Sequence, residues 1–287
     1  MSLNLPPHYN YVAVFLTLSC NLRCSYCINH LSGKARGRRH LNAVEWIAAL
    51  NRLDLIDSLP ITFQGGEPSL HPGFFEILGG LRDGLKIDLL TNLQFDPYRL
   101  IKEVPRERLT RPAPYPSIRV SYHPETMELE PLLEKVTVLI RHGYSIGVYG
   151  VLHPSYADTV LSAQKRAVKM GIDFRTKEFL GEFDGKLHGP FKHPEAVGGK
   201  ALRHCQCKTS ELLVSPNGQV HRCHHDLYNE LLPVGSIADP LFEVEDIFRP
   251  CSFFGNCNPC DIKLKTNRFQ VQGHHSVEIR DVKPPLA

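Results

Sequence analysis

The chain has 287 residues, ordinary apolar content (42%) and a formal charge of +3, close to balance. That balance gives no argument for nucleic-acid binding, and no apolar run approaches the length needed to span a membrane. Nine cysteines without an export signal point to metal or redox use in a reducing cytoplasm, and the odd count fits poorly with a closed disulfide framework.

The first apolar run, Tyr11–Leu18, is short, has no Lys or Arg before it and stops at a cysteine, so it reads as a buried strand rather than a signal peptide. Cys20, Cys24 and Cys27 follow in the pattern CxxxCxxC. Three thiolates at this spacing can wrap one cubane and hold three of its irons, leaving the fourth iron open to chemistry. A structural zinc site completed by His30 is the competing assignment, and the triplet alone does not separate the two. Tyr26 places a ring beside this loop.

Further strand-like runs are Ile61–Gln64, Lys86–Thr91, Ser117–Tyr122, Ser145–Leu152 and Ile172–Phe179. Helical spacing occupies Ala43–Leu55, Phe74–Leu81, Leu132–Arg141 and Tyr156–Met170, while the Pro-rich connection from Phe95 to Pro116 has room for a short helix only. Gly84, Gly143 and Gly171 sit just past helical stretches, where a left-handed cap is wanted. Strand–helix alternation predicts a parallel α/β sheet, curled into a partial barrel or doubly wound. Chemistry collects at the carboxyl ends of such strands. The groups found there are Ser19-Cys20, Gly65-Gly66-Glu67, Thr91-Asn92, Ser121 to His123 and Lys177-Glu178.

After Leu180 the texture changes. Residues 181–204, rich in Gly, His and Lys, read as a lid or linker, and residues 205–287 carry six cysteines. A hairpin is predicted from Glu211–Ser215 and Gln219–Arg222, turning at Pro216-Asn217-Gly218.

CxxxCxYC after a first strand, Gly-Gly-Glu-Pro at 65–68 after a second and six strand–helix units resemble the radical S-adenosylmethionine superfamily over about residues 11–180. The resemblance implies a partial (β/α)6 TIM-like barrel over residues 1–180. It implies that Cys20, Cys24 and Cys27 ligate a 4Fe-4S cluster whose open iron chelates S-adenosyl-L-methionine, and that reductive cleavage yields a 5′-deoxyadenosyl radical. Gly65, Gly66 and Glu67 would line the methionine end, with glycines allowing close backbone approach. Asn92 and Ser121 would contact ribose and carboxylate, Tyr26 the adenine, and Gly147 and Gly150 would lie in the strand beneath it. A flavodoxin- or ferredoxin-type donor would supply the electron.

The later cysteines resemble the twitch or SPASM extensions of that superfamily, which hold auxiliary 4Fe-4S clusters in a small hairpin-containing domain. On that resemblance Cys207, Cys223, Cys257 and Cys260 ligate a second cluster; Cys205 and Cys251 are then spare, though Cys205 could replace Cys207 and Cys251 any of the later ligands. A zinc ribbon using His221, His224 or His225 is the competing assignment. An auxiliary cluster suits two-electron oxidation, for which Glu178, His123 or Lys177 would serve as base. Epimerisation, with Cys251 or Cys205 returning hydrogen, and peptide cross-linking are the alternatives. With ten residues before the first strand, a small molecule is favoured over a short peptide. The basic stretch Lys186–Arg203, with Lys263, Lys265 and Arg268, hints at an anionic substrate or else a solvated basic surface.

Overall fold

The computed structural model describes residues 2–28, 40–56, 59–199, 201–264 and 275–282. Six parallel strands form its frame: β1 (Tyr11–Phe15), β2 (Ile61–Gln64), β3 (Ile87–Thr91), β4 (Ile118–Tyr122), β5 (Ile146–Leu152) and β6 (Phe174–Glu178), each paired to the next. Their sequences are mostly apolar because both faces are covered, as β1 illustrates with Val12, Ala13, Val14 and Phe15 all buried. Helices α1 (Ala43–Leu50), α2 (Phe74–Gly80), α3 (Pro97–Glu103), α4 (Leu129–Arg141) and α5 (Ala157–Lys169) fill the connections. This is the partial TIM-like α/β barrel expected from the sequence.

Local chemistry sets the element ends. Asn42 and Glu45 form a reciprocal capping box at the start of α1, which buries Trp46 completely. The helix ends at Leu50, five residues short of the predicted Leu55. There the Asn51 side chain donates to the Gly80 carbonyl and accepts from the Arg82 amide, and Leu53–Asp54 pairs instead with Leu3–Asn4. The short helix expected between Phe95 and Pro116 is α3, capped by Asp96 and opened by Pro97. Gly143 and Gly171, past α4 and α5, take φ of +80° and +75°, the left-handed geometry foreseen for them.

Two findings change the picture after Leu180. Part of the stretch read as a lid or linker is an antiparallel hairpin, β7 (Gly181–Phe183) with β8 (Lys186–His188). Then come β9 (Arg203–Thr209), β10 (Glu211–Val214), β11 (Gln219–His221), α6 (His224–Asn229), β12 (Gly235–Ser236), β13 (Arg249–Phe254), α7 (Pro259–Ile262) and β14 (Val277–Asp281). The predicted hairpin is β10–β11, but it does not stand apart. β10 pairs in parallel with β1, from Glu211↔Tyr11 to Val214↔Val14, giving one sheet in the order β12-β11-β10-β1-β2-β3-β4-β5-β6. Leu213 then packs with Ala13, Phe15, Leu227 and Tyr228 in a cluster of its own. A separate antiparallel sheet, β13-β9-β14, carries the remaining cysteine-rich segment. No helix among the described residues is long and apolar enough to cross a membrane.

Candidate active site

One cavity of about 830 Å³ opens at the carboxyl ends of the strands and runs down into the barrel. Cys20, Cys24, Tyr26, Cys27, Gly65, Gly66, Glu67, Asn92, Ser121, His123, Lys177 and Glu178 all line it. The polar groups placed at strand tips by sequence reasoning therefore share one space.

The loop that carries the three cysteines is tied down strand by strand. β1 stops at Phe15, before the predicted Leu18, because the next carbonyls serve its neighbour: Gly66 N–H donates to Thr17 O (3.0 Å) and Glu67 N–H to Ser19 O (2.8 Å). A Cβ on Gly65 would fall 2.1 Å from Thr17 O, and one on Gly66 2.1 Å from Ser19 O. The glycines are thus demanded by this backbone-to-backbone approach, whereas the sequence reading had attributed them to the ligand. From β3, Asn92 Nδ2 donates to Asn21 Oδ1 (2.8 Å). From the segment after β4, Glu125 accepts from the Ser25 amide (2.8 Å) and hydroxyl (3.0 Å), Thr126 Oγ1 lies 3.6 Å from Cys24 Sγ, and His123 Nδ1 lies 3.0 Å from the Tyr26 hydroxyl. Sequence reasoning missed Glu125 and Thr126. Their signal was only their place directly after a strand tip.

Glu67 is buried and accepts four hydrogen bonds, from Ser69 N, Ser69 Oγ, Thr91 Oγ1 and Asn92 N. Burial pushes its carboxyl up, and those four donors oppose the shift. Glu67 therefore joins the tips of β2 and β3 as well as facing the cavity. Tyr26, expected against adenine, is stacked on His153 at 4.9 Å between ring centroids. His153 in turn meets the Phe179 and Phe183 rings edge-on at 4.6 and 4.8 Å, an aromatic group the sequence did not disclose. Burial lowers the His123 pKa to about 4, so its ring is neutral at pH 7.

Gly147 and Gly150 do not line the cavity. A Cβ on Gly147 would press on Pro116 and Asp173, and one on Gly150 would meet Val160 of α5 at 2.5 Å, so strand and helix packing account for both.

Three soft thiols, free of disulfides and facing one space beside a tightly held glycine pair, are a donor set that suits an iron–sulfur cluster. Burial pushes the Cys20 and Cys24 thiols up, so cluster binding must drive off their protons. His30, the alternative fourth ligand, lies outside the described residues, as do Lys265 and Arg268.

The C-terminal cysteines are grouped differently from expectation. Cys205, Cys207 and Cys251 are buried with their sulfurs within 4.8 Å of one another, as a candidate metal site. β9 pairs Cys205 directly with Cys251 on β13, and Cys205 and Cys207 Sγ stand 3.6 Å apart. Cys205 and Cys251, expected to be spare or substitute ligands, both stand in this group. Cys251 does not line the cavity, which removes it as a hydrogen donor there. The hydrogen bond from Cys207 lowers its pKa to about 6. Cys223 and Cys257 border this group, whereas Cys260 lines the cavity wall. Asp261 joins the two segments by accepting from His224 N (2.8 Å), His224 Nδ1 (2.9 Å) and His225 N (3.2 Å). His224 lines the cavity; His221 does not, and hydrogen-bonds Ser215 and the Leu231 carbonyl instead.

A parallel partial barrel with thiols, a glycine pair and a buried carboxylate gathered at its carboxyl mouth defines a barrel enzyme that works at its strand ends. The profile of the Radical SAM superfamily matches residues 14–174, more than half of the 287, and the chain belongs to that superfamily. It binds a 4Fe-4S cluster and S-adenosylmethionine accordingly. Among curated proteins it is 33% identical over 81 residues to a probable GTP 3′,8-cyclase of Methanopyrus kandleri, covering 28% of this chain and 26% of that protein. It is 31% identical over 108 residues to molybdenum cofactor biosynthesis protein 1 of Bos taurus, covering 36% and 17%. The matched stretches thus span well under two thirds of these relatives. Among solved structures, anSMEcpe with bound AdoMet superposes with a TM-score of 0.54 at 17% identity, over 83% of this chain and 78% of that one. Streptococcus suis SuiB bound to precursor peptide SuiA gives 0.50 at 13% identity, over 81% and 63%. Both likenesses are of fold.

Proposed function

We propose that this enzyme cleaves S-adenosylmethionine at the barrel mouth and abstracts hydrogen from a small molecule held deeper in the same cavity. The observation that carries the reading is that one space of about 830 Å³ is bordered both by Cys20, Cys24 and Cys27 and by polar groups of β4 to β6. That volume lies within the range of small-molecule sites. In this reading Cys20, Cys24 and Cys27 hold the cluster, and Gly65, Gly66 and Glu67 fix the shape of the methionine end. Asn92, Ser121 and Tyr26 bound the rest of the cofactor. Bound together there, cluster and cofactor supply a 5′-deoxyadenosyl radical. The chain's own groups orient the substrate and keep water out.

For the reaction we infer a two-electron oxidation, with Glu178 as proton acceptor and a second metal site assisting. Glu178 lines the cavity. The neutral ring of His123, held by Tyr26, is the other base within the cavity. The second site is built on Cys205, Cys207 and Cys251, with Cys257 next to them, and is proposed to hold a second 4Fe-4S cluster. A single tetrahedral ion is the competing occupant, favoured by the 3.6 Å between two of the sulfurs, since metal–sulfur bonds of about 2.3 Å would bring thiolates about that close. Epimerisation remains the second reading of the reaction, because Cys260 offers a thiol on the cavity wall. Domain limits near 180 and 205, a flavodoxin- or ferredoxin-type donor and a cytoplasmic setting belong to the same proposal.

Metal analysis of anaerobically prepared protein tests the two-cluster reading: about eight irons with matching sulfide are expected per chain. About four irons with one zinc would replace the auxiliary cluster by a structural ion. Turnover in heavy water tests the reaction: oxidation predicts no solvent deuterium in product. Deuterium that disappears in Cys260→Ala would select epimerisation.

A further inference from the structure

The cavity is lined by an unusual set of cations. Arg119 on β4, only 2% exposed, lines the cavity, and its solvent-shielded Nε–H has no hydrogen-bond partner among the described residues. Its Nη2 reaches Asp88 (3.2 Å), but Asp88 also takes a bidentate pair from Arg111, at 3.0 Å each, and the Tyr115 hydroxyl at 3.1 Å. One carboxylate thus faces two guanidinium groups, and a positive charge is left in the barrel interior. A buried donor without an acceptor is costly unless a ligand supplies one.

Next along the sheet, Tyr149 pairs in register with Arg175. The Lys177 ammonium sits 4.9 Å from the centroid of the Tyr149 ring. Arg175, Lys177 and Lys263 all line the cavity. Arg175 is held by Asp173 at 2.8 Å, but Lys177 and Lys263 make no ion pair among the described residues. Lys263 reaches the cavity because residues 190–192 and 262–264 bridge across the cavity roof, with Lys192 N–H on Ile262 O (2.9 Å) and Leu264 N–H on Pro190 O (2.7 Å). Desolvation within the cavity, and then the neighbouring Lys263, pull the Lys177 pKa down to about 8, while the Cys260 thiol nearby opposes the shift.

Of the acids that line the cavity, Glu67 is committed to its four donors and Glu211 to the Ser276 hydroxyl (2.7 Å). Glu178 follows Lys177 in the chain and makes no ion pair with it among the described residues.

We propose that Arg119, Lys177 and Lys263 form an anion subsite that holds a phosphate or carboxylate group of the substrate within this cavity. The proposal rests on the radical-enzyme reading only for the word substrate. Anion binding itself is an equilibrium property of this cavity. One guanidinium and two ammonium groups lining a single cavity, the two lysines close to each other, match the several acceptor oxygens of such a group.

The test is calorimetric titration of cluster-loaded, full-length protein, unreduced and with saturating S-adenosylmethionine, using inorganic pyrophosphate and malonate as probes. Saturable binding of either probe at one site per chain is expected, and the tighter probe identifies a phosphorylated or a carboxylated substrate. Lys177→Gln and Arg119→Gln are each expected to weaken it at least tenfold. Because Arg119→Gln disturbs a buried network and can unfold the barrel, Lys177→Gln decides. Lys169→Gln, which removes the same charge from an exposed position on α5, is expected to change nothing. No saturable binding of either probe, unchanged binding in Lys177→Gln, or an equal loss in Lys169→Gln would overturn the subsite. The cluster is never reduced, so failure here leaves cofactor cleavage untouched, and failure of cleavage leaves this result standing.

Discussion

At the scale of single residues, the glycine pair at 65–66 and the imidazole of His123 are where physical constraint is most exposed. Gly66→Ala would set a Cβ 2.1 Å from the Ser19 carbonyl, so backbone rather than a flexible side chain must yield. We predict a loss of stability of about 1–3 kcal/mol together with a clear fall in iron content, both read on the same preparation. An unchanged iron load would mean that the cysteine loop does not depend on this contact. For His123, lowered to about 4 by burial, the unfolded chain takes up the proton first as pH falls. Its contribution to stability is therefore complete above about 6.5 and is lost progressively toward 4. A nitrogen-15 NMR titration should find this ring neutral down to pH 5; a midpoint near 6.5 would contradict its burial. Legibility at this scale was uneven. CxxxCxYC and Gly-Gly-Glu-Pro stand out as patterns, whereas Glu125 and Thr126 act on the loop from about a hundred residues away, and no local pattern encodes that contact.

Among the elements, strand–helix alternation was readable because apolar runs and helical spacing are local properties, and all six barrel strands were anticipated within a few residues. The hairpin was also readable from Pro216-Asn217-Gly218, but its destination was not. Alternation cannot say which existing strand a new one will join, and β10 joined β1. Leu213 sits at that junction, fully packed against Ala13, Phe15, Leu227 and Tyr228. Leu213→Ala is expected to cost about 2–5 kcal/mol, measured by denaturant unfolding; a loss below 1 kcal/mol would mean the hairpin is only loosely attached. Asp261 plays the matching role between α6 and α7. Removing it as Asp261→Ala leaves three donors without their acceptor and should cost at least about 2 kcal/mol, with loss of the metal proposed at the C-terminal thiols. The cysteines themselves stood out in the sequence as candidate ligands, but which of them lie together did not. β-Register, which is set over long range, brings Cys205 opposite Cys251, and sequence spacing alone offers them only as substitute ligands.

For the whole molecule, the sheet that begins in the C-terminal hairpin and ends at β6 borders one cavity, lined by the cysteine loop and by the cations Arg119, Arg175, Lys177 and Lys263. The central claim is that Cys20, Cys24 and Cys27 hold the cluster that cleaves S-adenosylmethionine. The direct measurement is 5′-deoxyadenosine formed by anaerobically reconstituted protein under dithionite, compared between the natural chain and Cys24→Ala. Steady production by the natural chain and none above background from Cys24→Ala is the predicted result. Equal production by both, or none from a natural chain carrying its full iron and sulfide, would contradict it.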